Sequence, residues 1–438
     1  MIFGKHTAIA GAVALVVIWP LASGQISQSM YDQKIKQFQT PYAVLTRESY
    51  DRGYLSSDIV TKISLIGAVK KQLDVYDIPT TYVVNSHVSH GVLSISSDST
   101  LKITPELKVI TNKFWPNGES PLFAHLETSI LGDTQYNMTF TGLNAKDEEM
   151  MVTSAPLIIN GEMNKKHIIT FDISWPFLNV NSPLGDKTVA INITGTGRGR
   201  LVDDIWVGSQ SINVEAINID TQSSILVNMN NLTMEVKNML YALGGGNVKL
   251  AAANDLRFNT ENKISIEKFN IQDVITLHNC KIVVGFNAFA YNAMTTLALI
   301  ANVMRHELTE QNMLQMITTL DSLVAKGLSI KLNSLEIGTL EGHINANADL
   351  TLESGLSNVS QNIKALPNKI KGDVNISVPL AYVVIFPKIR NMIDRLEKYG
   401  FVSQKEGILT VNAKIKGNQI VSLTGQNIPV GLLIILMM

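Results

Sequence analysis

An alternation of apolar and polar residues with a period of two constrains this chain more than any other feature. Ile59, Thr61, Ile63 and Leu65 fall on one face of an extended segment and Val60, Lys62 and Ser64 on the other, as the pleat of a β-strand requires. The pattern returns in Leu93 and Ile95, in Leu101 and Ile103, and in Val189, Ile191 and Ile193. It recurs in Ile225, Val227 and Met229, and again from Ile344 through Ala346, Ala348, Leu350 and Leu352. Strands with one apolar and one polar face suit antiparallel sheets, because parallel sheets are covered on both faces. The expected fold is therefore α+β and β-dominated, with long antiparallel meanders and amphipathic helical excursions.

Three helical excursions are expected. Residues 232–243 end at the breaker Gly244-Gly245-Gly246, and residues 288–326 carry the stripe Met313, Met316, Ile317, Leu320, Leu323 and Val324 before Gly327. Residues 379–399 repeat the arrangement with Ile389, Met392, Ile393 and Leu396, a kink at Pro387 and Gly400 just past the end. Strands resume in residues 408–415 and 420–423 across Lys416-Gly417-Asn418-Gln419, a hairpin turn. A β-rich region, 49–243, thus precedes a β-plus-helix region, 247–438. The closing residues 429–438, PVGLLIILMM, are too short to span a membrane and are expected to pack as a terminal strand.

The N-terminus reads differently. Between Lys5 and Asp32 there is no charged residue, and an apolar run holds Thr7, Ile9, Leu15, Val17, Trp19 and Leu21. That run is an export signal, placing the bulk of the chain outside the cytoplasm of a bacterial cell. Two outcomes stay open: residues 1–24 remain as a transmembrane signal anchor in the inner membrane, with Trp19 and Tyr31 near its interfaces, or they are cleaved at Ala22-Ser23-Gly24 to leave a soluble periplasmic protein. Residues 25–48, with Ile26, Met30, Ile35, Phe38 and Leu45 among polar neighbours, are expected to form a juxtamembrane helix.

Charge gives no reason to invoke nucleic acid. The 438 residues hold 36 basic and 37 acidic side chains, for a net charge of −1, so neutral or apolar partners are favoured. The one cysteine, Cys280, sits beside Ile282, Val283 and Val284 and reads as a small buried thiol. Motifs for chemistry fail on context. His87 and His90 in HVSH point to opposite faces of a strand and make a poor metal pair. The Gly195-Thr196-Gly197-Arg198-Gly199-Arg200 segment lacks the helix that a phosphate loop needs and reads as a turn with two exposed arginines. Ser265-Ile266-Glu267-Lys268 matches Ser-x-x-Lys without its companion motifs. No catalytic residue, cofactor-binding residue or metal ligand is assigned, and the chain is expected to be no enzyme and to use no cofactor. Met294, Met304, Met313 and Met316 offer adaptable thioethers that either close a core or line a groove for acyl chains.

Tyr50, Arg52, Gly53, Tyr54 and Ser56 stand in YDRGYLSS, directly before the first alternating strand. With the anchor-like N-terminus and the closing Lys416-Gly417-Asn418-Gln419 to Thr424-Gly425 block, this resembles the YdgA-like family of bacterial envelope proteins of unknown function. The resemblance implies an inner-membrane-anchored periplasmic protein with no assigned activity. Physically, Gly53 permits a turn at positive φ, with Tyr50 and Tyr54 packed on the first strand. The expected function is non-enzymatic binding of a lipid, another hydrophobic ligand or an envelope protein partner. A hydrolase of an envelope polymer and a self-associating structural protein are the alternatives.

Overall fold

The computed structural model describes residues 43–75, 78–146, 151–202, 205–221, 226–243, 248, 255–272, 274–304, 309–356, 363–385 and 387–429. Residues 1–24, expected as signal anchor or signal peptide, residues 25–42 of the expected juxtamembrane helix and residues 430–438 of the expected terminal strand lie outside these. The chain forms two compact units, one taking residues through Leu201 together with Ile212–Ser224, the other Val202–Ser211 and everything from Ile225.

The first unit is an antiparallel meander. Strands β1 (Ala43–Arg52), β2 (Ser56–Leu65), β3 (Thr81–His90), β4 (Ser94–Lys102), β5 (Leu122–Ser129) and β6 (Thr134–Phe140) pair in sequence order. The hairpin β7 (Asn144–Lys146) and β8 (Met151–Ser154) follows, and then β9 (Leu157–Met163) pairs with β6. Strand β10 (Ile169–Asn181) takes β9 and β8 in succession along one edge and β11 (Lys187–Val202) along the other. Helices α1 (Gly67–Asp74) and α2 (Pro105–Phe114) connect strands at one end of this sheet, and tight turns connect them at the other. Strand β12 (Ile205–Asp220) carries the chain on.

The second unit continues the style with longer strands. β13 (Leu226–Ala242), β14 (Leu256–Ile271), β15 (Ile275–Ala290), β16 (Leu328–Thr339), β17 (Gly342–Leu352) and β18 (Ile370–Pro379) pair in order. β18 then pairs with β20 (Ile408–Lys416), whose far edge is shared by β19 (Val402–Lys405) and β21 (Gln419–Ser422); β22 (Asn427–Pro429) closes on β21. Helices α3 (Tyr291–Met304) and α4 (Glu310–Ala325) join β15 to β16, and α5 (Leu380–Ile385) and α6 (Pro387–Glu397) stand between β18 and β19.

The strand-dominated antiparallel plan and the turn at Gly417, where φ is 63°, follow the alternation read in the sequence. Several expectations are corrected. Residues 43–48 are strand rather than helix, because Ala43 and Leu45 alternate with partly exposed neighbours against β2. Residues 232–243 are not a helix: Leu232, Met234, Val236, Leu240 and Ala242 occupy one face of β13, which pairs with β14 in one register throughout. Two helices not expected from the sequence, α1 and α2, lie within the β-rich region. Pro387 opens α6 rather than kinking a longer helix, a position where its missing N–H costs no helical bond. Among the described residues no helix is long and apolar enough to cross a membrane.

Candidate functional site

In the second unit, directly opposed residues draw mainly apolar rows across seven strands. One row runs Met234, Ile264, Ile282, Leu335, Ala346, Ile376 and Val411; the next runs Val236, Asn262, Val284, Leu332, Ala348, Val374 and Ala413. A third passes through Phe286, Ile330 and Leu350 to Gly372 and Ile415. There a Cβ on Gly372 would lie 2.8 Å from the Leu350 side chain, so glycine lets that leucine lie flat.

Helices flank this face at its two ends. Phe289, Leu297, Leu323 and Leu328 pack with Ala290 and Ala293 at the β15 and α3–α4 end. At the other, Val383 and Ile393 of the α5–α6 pair pack on Leu409 and Val411, and Leu396 and Phe401 on Ile420 and Ile428. Between them the apolar rows stay open among the described residues: Ile264 is 42% exposed, Ile330 39% and Leu350 37%. Methionines serve the same region unevenly, with Met294 half-buried and Met313 exposed on α4 beside exposed Leu314 and Leu320.

The opposite face of the same strands is ionic. Glu235 and Lys263, Lys281 and Glu336, Lys331 and Asp349, and Asp373 and Lys414 are directly opposed and bridged at 2.8, 3.0, 2.7 and 3.5 Å. Hydrogen bonds from Lys281 and Lys331 hold the carboxyls of Glu336 and Asp349 below the usual carboxylate range. Pairs this exposed contribute little stability each, about 0.2–1 kcal/mol. They do fix which face is which, since a one-residue slip would move every charge to the apolar side.

The first unit lacks such an open face over β1 to β9. Its corresponding rows, Ile59, Ser86, Ser99, Ala124, Met138 and Ile159, and Ser57, Val88, Ser97, Leu126 and Tyr136, are all buried. Buried hydroxyls pair across strands, Ser86 with Ser99 at 2.7 Å and Thr128 with Thr134 at 3.0 Å. Burial, aided by the Asp172 charge, pushes Tyr136 up to about 12.

Sequence candidates for chemistry fall as follows. His87 and His90 do point to opposite faces: His87 bonds Asp58 at 2.7 Å on the polar side, and His90 bonds Ser57 at 2.9 Å on the buried side. This Ser–His pair was not foreseen. Ser57 is 1% exposed, and the adjacent carboxylate, Asp58, is engaged on the wrong face to orient His90. The segment from Gly195 to Arg200 is no turn; it lies within β11, where a Cβ on Gly197 would fall 2.3 Å from the Phe171 ring. Its glycines therefore make room for an aromatic ring, and a phosphate loop is ruled out by the strand itself. Ser265 and Lys268 lie mid-strand in β14, with no helix to present them. Cys280 is half-buried, and burial raises its thiol above the ordinary value. No group of three metal-ligating side chains occurs among the described residues.

The YDRGYLSS block is the first hairpin. Gly53 is not at positive φ; a Cβ there would meet the Ser56 carbonyl oxygen at 2.8 Å. Tyr54 does not pack on the strand but is 96% exposed.

Comparison with known proteins yields one match. A family described as bacterial protein of unknown function (DUF945) matches residues 5–430. No curated protein and no solved structure matches the chain.

Proposed function

The chain belongs to that bacterial family of unknown function, and from this premise we propose that it is a non-enzymatic envelope protein whose second unit holds a hydrophobic ligand of the acyl-chain type on its open sheet face. The observation that carries the reading is the mainly apolar face of β13 to β18, broken on β14 by Asn262 and Thr260, open at Ile264, Ile330 and Leu350 and backed by an ionic face. A monomeric protein rarely leaves so broad an apolar area uncovered without a use for it. The rows are mainly aliphatic, and their polar members on β14, Asn262 and Thr260, bond each other, which suits a ligand that brings few hydrogen bonds of its own.

The charge-free run through Trp19, together with the YdgA-like likeness of the Tyr50 to Ser57 block, supports a location outside the cytoplasm, with residues 1–24 as an inner-membrane anchor. Sequencing the N-terminus of the mature protein in membrane and soluble fractions tests that part: intact Met1 in membranes supports the anchor, and soluble chains beginning at Gln25 overturn it.

Ligand binding is tested by photocrosslinking the full chain with a diazirine-bearing fatty acid and mapping the adducts by peptide mass spectrometry. Adducts on peptides from β14 to β17 are expected, and they disappear in Ile264→Asp/Ile330→Asp. A hydrolase acting on an envelope polymer has one supporting observation, the Ser57–His90 pair. The burial of Ser57 and the engagement of Asp58 weigh against it.

A further inference from the structure

The third apolar row of the second unit does not stop at Ile415. Ile415 is directly opposed to Ile420 on β21, and Ile420 to Ile428 on β22. The row that holds Phe286, Ile330 and Leu350 therefore crosses seven strands and arrives one residue before Pro429. At that end Leu396 and Phe401 cover it, so Ile420 and Ile428 are buried, whereas Leu350 and Ile330 further along are exposed. Residues 430–438, which follow β22, read VGLLIILMM and carry no charge and no hydrogen-bonding side chain. Left in water, such a run exposes eight large apolar side chains.

We propose that residues 430–438 turn off the end of β22 and lie across this row as a displaceable cover over Leu350 and Ile330. The ladder argues for a face rather than an edge. β21 begins at Gln419, just after the turn at Gly417, and Gln419 is the partner of Pro429, so β21 offers no pairing beyond it. β22 itself is three residues long, and its outer edge holds too few backbone groups to pair a returning nine-residue strand. Length sets how far the cover extends. From β22 the row passes β21, β20, β18 and β17 to reach β16, about 24 Å at ~4.8 Å per strand. Nine residues span at most about 30 Å at ~3.3 Å each. Ile435 thus comes level with Leu350 and Met437 with Ile330, while β14, two strands further on and about 34 Å away, stays out of reach. A sheet face gives the segment no ladder, so side-chain contact alone holds it and its amides stay hydrated. Tethering offsets that weakness, because a covalently linked segment acts at a high effective concentration. One consequence rests on the acyl-chain reading above: a ligand must displace the segment to occupy Leu350 and Ile330. The seating itself does not depend on that reading.

The test uses the full chain in nanodiscs with Cys280→Ser as background. Oxidation of Leu350→Cys/Ile435→Cys and of Ile330→Cys/Met437→Cys with copper-phenanthroline is expected to give disulfides within one chain, read by peptide mass spectrometry. Ile264→Cys/Met437→Cys is expected to give none. With a diazirine-bearing fatty acid below saturation, Ile435→Asp/Met437→Asp is expected to raise labelling of β16 and β17 roughly tenfold, since a site free about a tenth of the time binds at about a tenth of its intrinsic affinity. Labelling absent from both chains while the disulfides form would strike the acyl-chain reading and uphold the seating. Disulfides found only between copies overturn the proposal, as does a yield at Ile264 equal to that at Ile330. Segment cysteines that form no disulfide with either row residue and are shielded by lipid from aqueous reagents overturn it too.

Discussion

The two units solve one problem in opposite ways. Both are antiparallel meanders with a polar and an apolar face, yet over β1 to β9 the first encloses its apolar rows, whereas the second leaves them open between two helix pairs. The difference lies in side-chain size as well as in cover. Rows of the first unit interleave Ser57, Ser86, Ser97, Ser99 and Ala124 with larger residues; Ser86 pairs with Ser99 and Ser57 with His90, while the buried Ser97 hydroxyl has no partner among the described residues. Rows of the second unit are built mostly from Ile, Leu, Val and Met, with Ala346, Ala348 and Ala413 among them, and expose Ile264, Ile330 and Leu350. A protein that needed only a stable sheet would have little reason to build the second kind beside the first.

The largest contrast is expected in stability. Met138→Ala, at a fully buried position of the first unit, should cost about 2–5 kcal/mol, whereas Ile330→Ala on the open face should cost only about 1 kcal/mol. Hydrogen exchange resolved by unit under denaturant measures both, and equal costs would mean that the second face is covered. A pair of glycines sharpens the same point. Gly197→Ala drives a Cβ into the Phe171 ring and should destabilise the first unit by about 1–3 kcal/mol. Gly285→Ala in the second unit meets nothing nearer than 3.4 Å and should be close to neutral.

Smaller still is the pH response of the ionic face. The folded carboxyls of Glu336 and Asp349 titrate lower than in the unfolded chain, so their contribution is present above about pH 4.3 and is lost as the pH falls through the folded values. Glu336→Gln should flatten the acid limb of the second unit's stability curve and leave the first unit's unchanged.

Much of this was legible in the sequence. Period-two alternation gave the antiparallel sheet, and Gly417 gave the β20–β21 hairpin. The failures have particular causes. In residues 232–243 the apolar residues Leu232, Val236, Leu240 and Leu243 satisfy a helical period while Leu232, Met234, Val236 and Leu240 satisfy a strand period. Pairing with β14 across 14 residue pairs decided between them. Helix α2 announced itself through Thr104, whose hydroxyl accepts the Leu107 N–H, followed by Pro105 and Glu106, but its short length hid it among strands. The open face could not be read at all, because alternation shows that a strand has an apolar side and says nothing of what covers it.

The most direct test of the open face is the map of acyl-probe adducts on the full chain. The account predicts adducts concentrated on residues of β14 to β17, among them Ile264, Ile330 and Leu350, and lost in Ile264→Asp/Ile330→Asp with the sheet intact. Adducts confined to residues 1–42, or unchanged in that variant, would contradict it.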